Sequence, residues 1–255
     1  MIKYPLWKGD VRMRVNILSV GFDALTLPQA LDRALTLIRS PGFHTVITPN
    51  PEIVQLCRRD ARMQDAVAKA GLVLPDGVGV VNAAKTLGRP LPQKIAGIDF
   101  AWALLPLLAE HGYSLYLLGA KPGVADKAAQ TLVTSFPSLT IAGVHDGYFS
   151  DDDAVASEIA QSGAQVVFVC LGAPRQELWC RTHGAATGAT LLAALGGSMD
   201  VWAGTVKRAP QFMITLGLEW LYRMLRYPKR LLRFFALPAF VLAVRRQARA
   251  QSGKL

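Results

Sequence analysis

The residues of this chain best suited to chemistry lie in short polar runs, each directly after an apolar stretch. The sharpest is Leu74-Pro75-Asp76-Gly77-Val78-Gly79. A carboxylate on such a constrained loop can take a proton from an attacking hydroxyl, the work of a general base. An N-cap aspartate beside turn glycines has the same local pattern, and the run alone leaves both readings open. Thr48-Pro49-Asn50-Pro51-Glu52 opens a helix, whose unpaired N–H groups and positive dipole end suit phosphate or a sugar hydroxyl. Capping by Asn50, with Thr48 closing a turn, is the alternative. Leu118-Gly119-Ala120-Lys121-Pro122-Gly123 offers backbone N–H groups to a diphosphate but lacks the full GxGxxG spacing, so ordinary turn chemistry also explains it.

Cys170-Leu171-Gly172-Ala173-Pro174-Arg175-Gln176-Glu177 sets a polar trio on a first helical turn. There Arg175 would clamp phosphate, Gln176 would donate to sugar or phosphate, and Glu177 would favour the helix dipole. In Gly196-Gly197-Ser198-Met199-Asp200 the paired glycines allow close backbone approach, and Asp200 would accept from a base N–H or a ribose hydroxyl. Two tempting patterns point elsewhere. Asp151-Asp152-Asp153 begins a helix and reads as a cap with dipole-favouring acids rather than a metal cluster. His44, His111, His145 and His183 have no metal-ligand spacing, so no metal is expected. The GxSxG elbow and the P-loop lysine motif are absent.

The elements that must hold these runs alternate regularly. Strands are expected at 15–20, 44–48, 72–74, 114–118, 140–143, 165–171 and 190–195, with helices near 28–39, 51–70, 78–88, 98–112, 122–135, 152–162 and 175–187. This alternation predicts an α/β fold, a Rossmann-like, mainly parallel sheet with helices on both faces. Ligands of such sheets bind beyond the carboxyl ends of the strands, where the polar runs stand. A catalytic core over 1–202 is expected, followed over 203–255 by a helical appendage broken at Pro210, Pro228 and Pro238.

Charge divides at the same boundary. The net charge is +10 over 255 residues, yet residues 1–200 hold 17 Lys and Arg against 17 acids, while 201–255 hold 11 against Glu219 alone. The appendage therefore meets an anionic partner. Arg223, Arg226, Arg230 and Arg233, interleaved with Trp220, Tyr222, Tyr227, Phe234 and Phe235, suit lipid phosphate and a membrane surface. No RNA-binding module accompanies them, so nucleic acid is not expected as a partner. The apolar run 234–244 is too short to span a bilayer and suits its interface. Cys57, Cys170 and Cys180 form neither a disulfide framework nor a zinc pattern, the N-terminus has no signal-peptide core, and a reducing compartment follows.

Taken in order, these segments resemble the WecG/TagA/CpsF family of bacterial glycosyltransferases, glycosyltransferase family 26. Gly97-Ile98-Asp99, Asp146-Gly147-Tyr148-Phe149, Arg208-Ala209-Pro210, Glu219-Trp220-Leu221-Tyr222-Arg223 and Pro228-Lys229-Arg230 extend the match. The resemblance implies a GT-E core and a metal-independent, inverting transfer from a UDP-sugar to a polyprenyl-diphosphate-linked sugar, with no cofactor. Asp76 would be the base. Thr48 and Asn50 would hold the acceptor or departing phosphate, and Gln176 would orient sugar and leaving group. Tyr148 and Asp200 would lie near the nucleotide, and Gly119, Gly172 and Arg175 are substrate-binding candidates from their loops. Lys94 stands where many relatives carry Arg, keeping the charge without the bidentate fork. Arg223, Arg230 and Arg233 would close over the site and grip diphosphate. A peripheral protein at the cytoplasmic face of the bacterial inner membrane is implied, with a second copy of the chain among its candidate partners. A non-catalytic, membrane-tethered nucleotide-sugar-binding protein is the alternative.

Overall fold

The computed structural model describes residues 13–226 and 236–252. Six strands form one parallel sheet: β3 (His44–Ile47), β4 (Leu72–Val73), β5 (Leu115–Gly119), β6 (Ile141–His145), β7 (Val166–Cys170) and β8 (Leu191–Ala194). Their order is β4-β3-β8-β7-β5-β6. The middle strands are apolar throughout because both faces are covered, and side chains alternate between them. Leu115, Leu117, Val166 and Phe168 pack on α1 (Leu27–Arg39), α5 (Gly97–His111), α6 (Val124–Ser135) and α9 (Ser198–Trp202). Tyr116, Leu118, Val167 and Val169 face α7 (Asp152–Ser162) and α8 (Arg175–His183). Beside these last, α2 (Pro51–Cys57), α3 (Ala61–Ala68) and α4 (Val78–Thr86) complete that layer over β3 and β4.

The expected strand 15–20 is instead a hairpin of β1 (Arg14–Ile17) and β2 (Val20–Asp23), antiparallel and outside the main sheet. Leu18 turns it with φ +56°. Asp23 then ties the hairpin down, accepting from Arg14 at 3.1 Å and from the Val73 N–H at 2.7 Å. The single helix expected over 51–70 is two, because Asp60 caps a new start by accepting from the Arg62 N–H at 2.8 Å.

The appendage is more closely joined to the body than its charge suggested. α10 (Gln211–Thr215) starts after Pro210, and α11 (Glu219–Arg226) follows. Between them a Cβ on Gly217 would lie 3.3 Å from Val78 Cβ, so this segment lies against the start of α4, beside Asp76. α12 (Ala236–Ser252) contains Pro238 in its first turn, where the missing N–H would have no helical partner, so the helix is not broken there. Phe240 and Val244, expected at a membrane interface, are buried in the cluster formed by Ile53, Val54, Cys57, Val80, Ala83 and Ala84. Gln247 Oε1 accepts from the Leu18 N–H at 2.9 Å, locking α12 to the hairpin.

Candidate active site

The helices after β3 and β8 leave on opposite faces, α2 into one layer and α9 into the other. Adjacent parallel strands that diverge in this way open a crevice at their carboxyl ends. Thr48, Asn50, Asp76 and Lys94 lie on three loops fastened together on one side of it. The Asp76 N–H donates to Pro49 O at 3.2 Å, and the Ile95 N–H to Pro75 O at 2.9 Å. Gly79 lets the start of α4 close on Pro51, since a Cβ there would lie 2.9 Å from Pro51 Cγ. Gly97 lets α5 start directly on Thr48, whose Oγ1 would be 2.8 Å from an added Cβ. Asn50 is the N-cap of α2, its carbonyl oxygen accepting from the Ile53 N–H at 3.0 Å. Capping therefore accounts for that oxygen and leaves the amide nitrogen as the part of the side chain suited to a ligand.

Gly119, Tyr148, Gly172, Arg175, Gln176 and Asp200 form the other side, over β5, β7 and β8. Gly119 has φ +127°, and a Cβ there would meet the Cys170 carbonyl at 2.5 Å, so only glycine fits. The Ala120 N–H donates to Cys170 O at 3.1 Å, and the Gly147 N–H to Ala120 O at 2.8 Å. Arg175, expected as a phosphate clamp, spends its guanidinium on the neighbouring loop. It donates to Gly147 O at 2.7 Å and Phe149 O at 3.3 Å and lies 4.4 Å from the Phe149 ring centroid. Tyr148 stands on that held loop, 70% exposed. Asp200 sits in α9 behind Gly197, with the Thr205 hydroxyl donating to its backbone carbonyl at 2.9 Å.

Gln176 is buried, and its amide is committed. Its Oε1 accepts from the Gly172 N–H at 3.2 Å and from the Gly196 N–H at 2.9 Å, and its Nε2 donates to Glu177 Oε1 at 2.9 Å. Gln176 therefore joins the loops after β7 and β8. Burial, aided by the Glu52 carboxylate, pushes the Glu177 carboxyl above its ordinary value of 4.5, against the opposing hydrogen bond from Gln176. A folded-state value above the unfolded one means that the folded chain holds the extra proton. The burden on stability thus grows as pH rises from about 4.5 and is complete above the folded value. Glu177→Gln should lack this loss, so its melting temperature relative to wild type should climb as pH rises above about 4.5.

Two residues bearing on the site escaped the reading of the runs. Arg208 pairs with Asp99 at 2.6 Å and approaches Glu219 at 3.9 Å. Asp99 chiefly raises its pKa, and Asp76 lies close enough to add to the effect. Arg208 thus fixes the appendage to the start of α5 beside the candidate base. It also lines a cavity of about 360 Å³ with Ile98, Trp102, Val201 and Trp202. The other missed residue is Glu177, whose place on a first turn resembled an ordinary dipole-favouring acid. The signal for Arg208 and Asp99 was their presence in the ordered set of motifs.

Asp151 caps α7, accepting from the Ala154 N–H at 2.9 Å, as expected of a cap. Among the described residues no three His, Cys, Asp or Glu side chains gather as metal ligands. Arg223 lies in α11, and Arg230 and Arg233 lie outside the described residues.

An open parallel sheet whose glycine-rich loops and polar side chains converge at the strand carboxyl ends defines an α/β protein with a ligand site there. Residues 15–254 match the glycosyl transferase WecG/TagA/CpsF family, and the chain belongs to that family. Among its relatives are proteins named N-acetylglucosaminyldiphosphoundecaprenol N-acetyl-beta-D-mannosaminyltransferase. The one from Bacillus spizizenii is 38% identical over 81% of this chain and 80% of its own length. That of Bacillus subtilis is 36% identical over 78% of each chain. That of Staphylococcus aureus is 32% identical over 92% of this chain and 94% of its own. The chain is a glycosyltransferase.

Proposed function

We propose that this enzyme moves N-acetylmannosamine from a UDP-sugar to the N-acetylglucosamine of a polyprenyl-diphosphate carrier, with inversion and without a metal, in cell-surface polymer synthesis. The observation that carries this reading is Asp76 on a loop tied to the Thr48–Asn50 and Lys94 loops, facing across the crevice a second side built of glycines and backbone N–H groups. The names of the relatives supply the sugars. In the reaction Asp76 takes the proton of the acceptor hydroxyl, whose oxygen attacks the anomeric carbon as the bond to UDP breaks. The departing diphosphate gathers negative charge, which backbone N–H groups, Lys94 and the appendage arginines offset. The test is a panel of UDP-sugars offered with polyprenyl-diphosphate-N-acetylglucosamine and read by mass spectrometry. UDP-N-acetylmannosamine should give the disaccharide. UDP binding without transfer from any donor would favour the non-catalytic alternative.

The same reading places the enzyme at the cytoplasmic face of the membrane, held peripherally. No described helix is long and apolar enough to cross a membrane. With Phe240 and Val244 buried, the exposed large apolar side chains of the appendage among the described residues are Val241 and Leu242 of α12 and, ahead of it, Phe212, Leu216 and Trp220, the last three 64%, 66% and 40% exposed. Their exposure and the basic residues that follow them in the sequence suit an anionic lipid surface. Replacing Phe212, Leu216 and Trp220 with serine should weaken sedimentation with phosphatidylglycerol vesicles by about a thousandfold or more, since each apolar side chain contributes roughly 1.5–3 kcal/mol when buried. UDP affinity should be unaffected.

A further inference from the structure

Glu177 lies outside the chemistry just described, yet it is 1% exposed, and its Oε2 has no hydrogen-bond partner among the described residues. A carboxyl group is rarely kept in such a place unless something depends on it. Its one described side-chain hydrogen bond is from Gln176 Nε2. That bond decides which way the Gln176 amide points. Two loop N–H groups, of Gly172 and Gly196, require an acceptor from Gln176, so its Oε1 must face them and its NH₂ must face away. An acceptor placed opposite holds the amide in that sense. With an apolar neighbour, the buried NH₂ would be unpaired and the amide would turn or withdraw.

We propose that Glu177 is a positioning residue for the nucleotide side of the site, acting through Gln176 on the loops after β7 and β8. This inference rests on the reading of that side as the donor site. Gly172 and Gly196 both have positive φ, at 78° and 58°, so each loop is shaped by conformations with little intrinsic rigidity. One side-chain oxygen bridging both fixes their separation, and with it the spacing of the N–H groups offered to a diphosphate. Glu52 and Cys57 from α2 and Cys180 from its own helix lie within electrostatic reach of Glu177, and burial chiefly, with the Glu52 charge, raises the Glu177 pKa.

The test uses the full chain with Glu177→Leu, which keeps the bulk and removes the acceptor, and Glu177→Gln, which restores an acceptor oxygen. Amide hydrogen exchange needs no substrate, so it reads the proposal even if the donor panel above refutes the assigned reaction. In Glu177→Leu the Gly172 and Gly196 amides should exchange about tenfold faster while the amides of the central strands keep wild-type protection. UDP should bind about tenfold more weakly, and the acceptor KM should change much less. Glu177→Gln should recover both properties. If Glu177→Leu does not accumulate as folded protein, Glu177→Asp, one methylene too short to reach Gln176, should loosen the same two amides. Unchanged exchange at Gly172 and Gly196 would overturn the proposal. So would uniform loosening across the central strands, which would make Glu177 a residue of general stability.

Discussion

Asp76→Asn is expected to lower turnover by about 10²–10⁴-fold while leaving the fold and the affinity for UDP unchanged. The amide has the shape of the carboxylate and cannot take the acceptor's proton. Two contacts that place the loop, the Asp76 N–H to Pro49 O and the Ile95 N–H to Pro75 O, come from the backbone and survive the substitution. The loss should therefore fall on kcat. Steady-state transfer to the lipid acceptor and calorimetric titration with UDP separate the two quantities. Near-normal turnover would move the base elsewhere, and a collapse in UDP affinity would make Asp76 a donor ligand.

Phe240→Ala should cost about 3–5 kcal/mol of folding stability, although Phe240 lies in the basic C-terminal segment, far from the sheet in sequence. The ring is 1% exposed and lies in the cluster containing Ile53, Val54, Ala83 and Ala84. Removing it opens a cavity between α12, α2 and α4, the two helices that begin at Asn50 and just after Asp76. Val241→Ser, at a position 46% exposed, serves as the control and should change stability by less than about 0.5 kcal/mol. Chemical denaturation of both variants measures the difference. Equal, small effects would mean that α12 is an independent tail. The same packing alters what truncation before Thr205 reports, since the loss of α12 uncovers core as well as removing the appendage arginines.

The alternation of apolar runs with helical patterns was legible because burial on both faces makes each strand continuously apolar, and Pro51 and Gly112 mark a helix start and a helix end. The hairpin was not legible. Val15 to Val20 reads as one strand, and the fold turns it at Leu18, a residue with no turn signature. Asp60 was hidden within a long helical pattern because a cap is only one residue. At the candidate site, Thr48, Asn50 and Asp76 stood out in the sequence by their places after strands. Arg175 and Gln176 were found as residues, but their partners, Gly147, Phe149, Gly172 and Gly196, depend on which strands become neighbours. The fate of the apolar run 234–244 also lay in tertiary packing, since an amphipathic helix fits a membrane or a protein groove equally well.

The most direct measurement of the central claim is the anomeric configuration of the product made by the full chain from UDP-N-acetylmannosamine and polyprenyl-diphosphate-N-acetylglucosamine, with a chelator present. Single displacement from an α-linked donor predicts a β-linked disaccharide by NMR at an undiminished rate. An α-linked product, or loss of transfer on chelation, would contradict an inverting, metal-independent reaction based on Asp76.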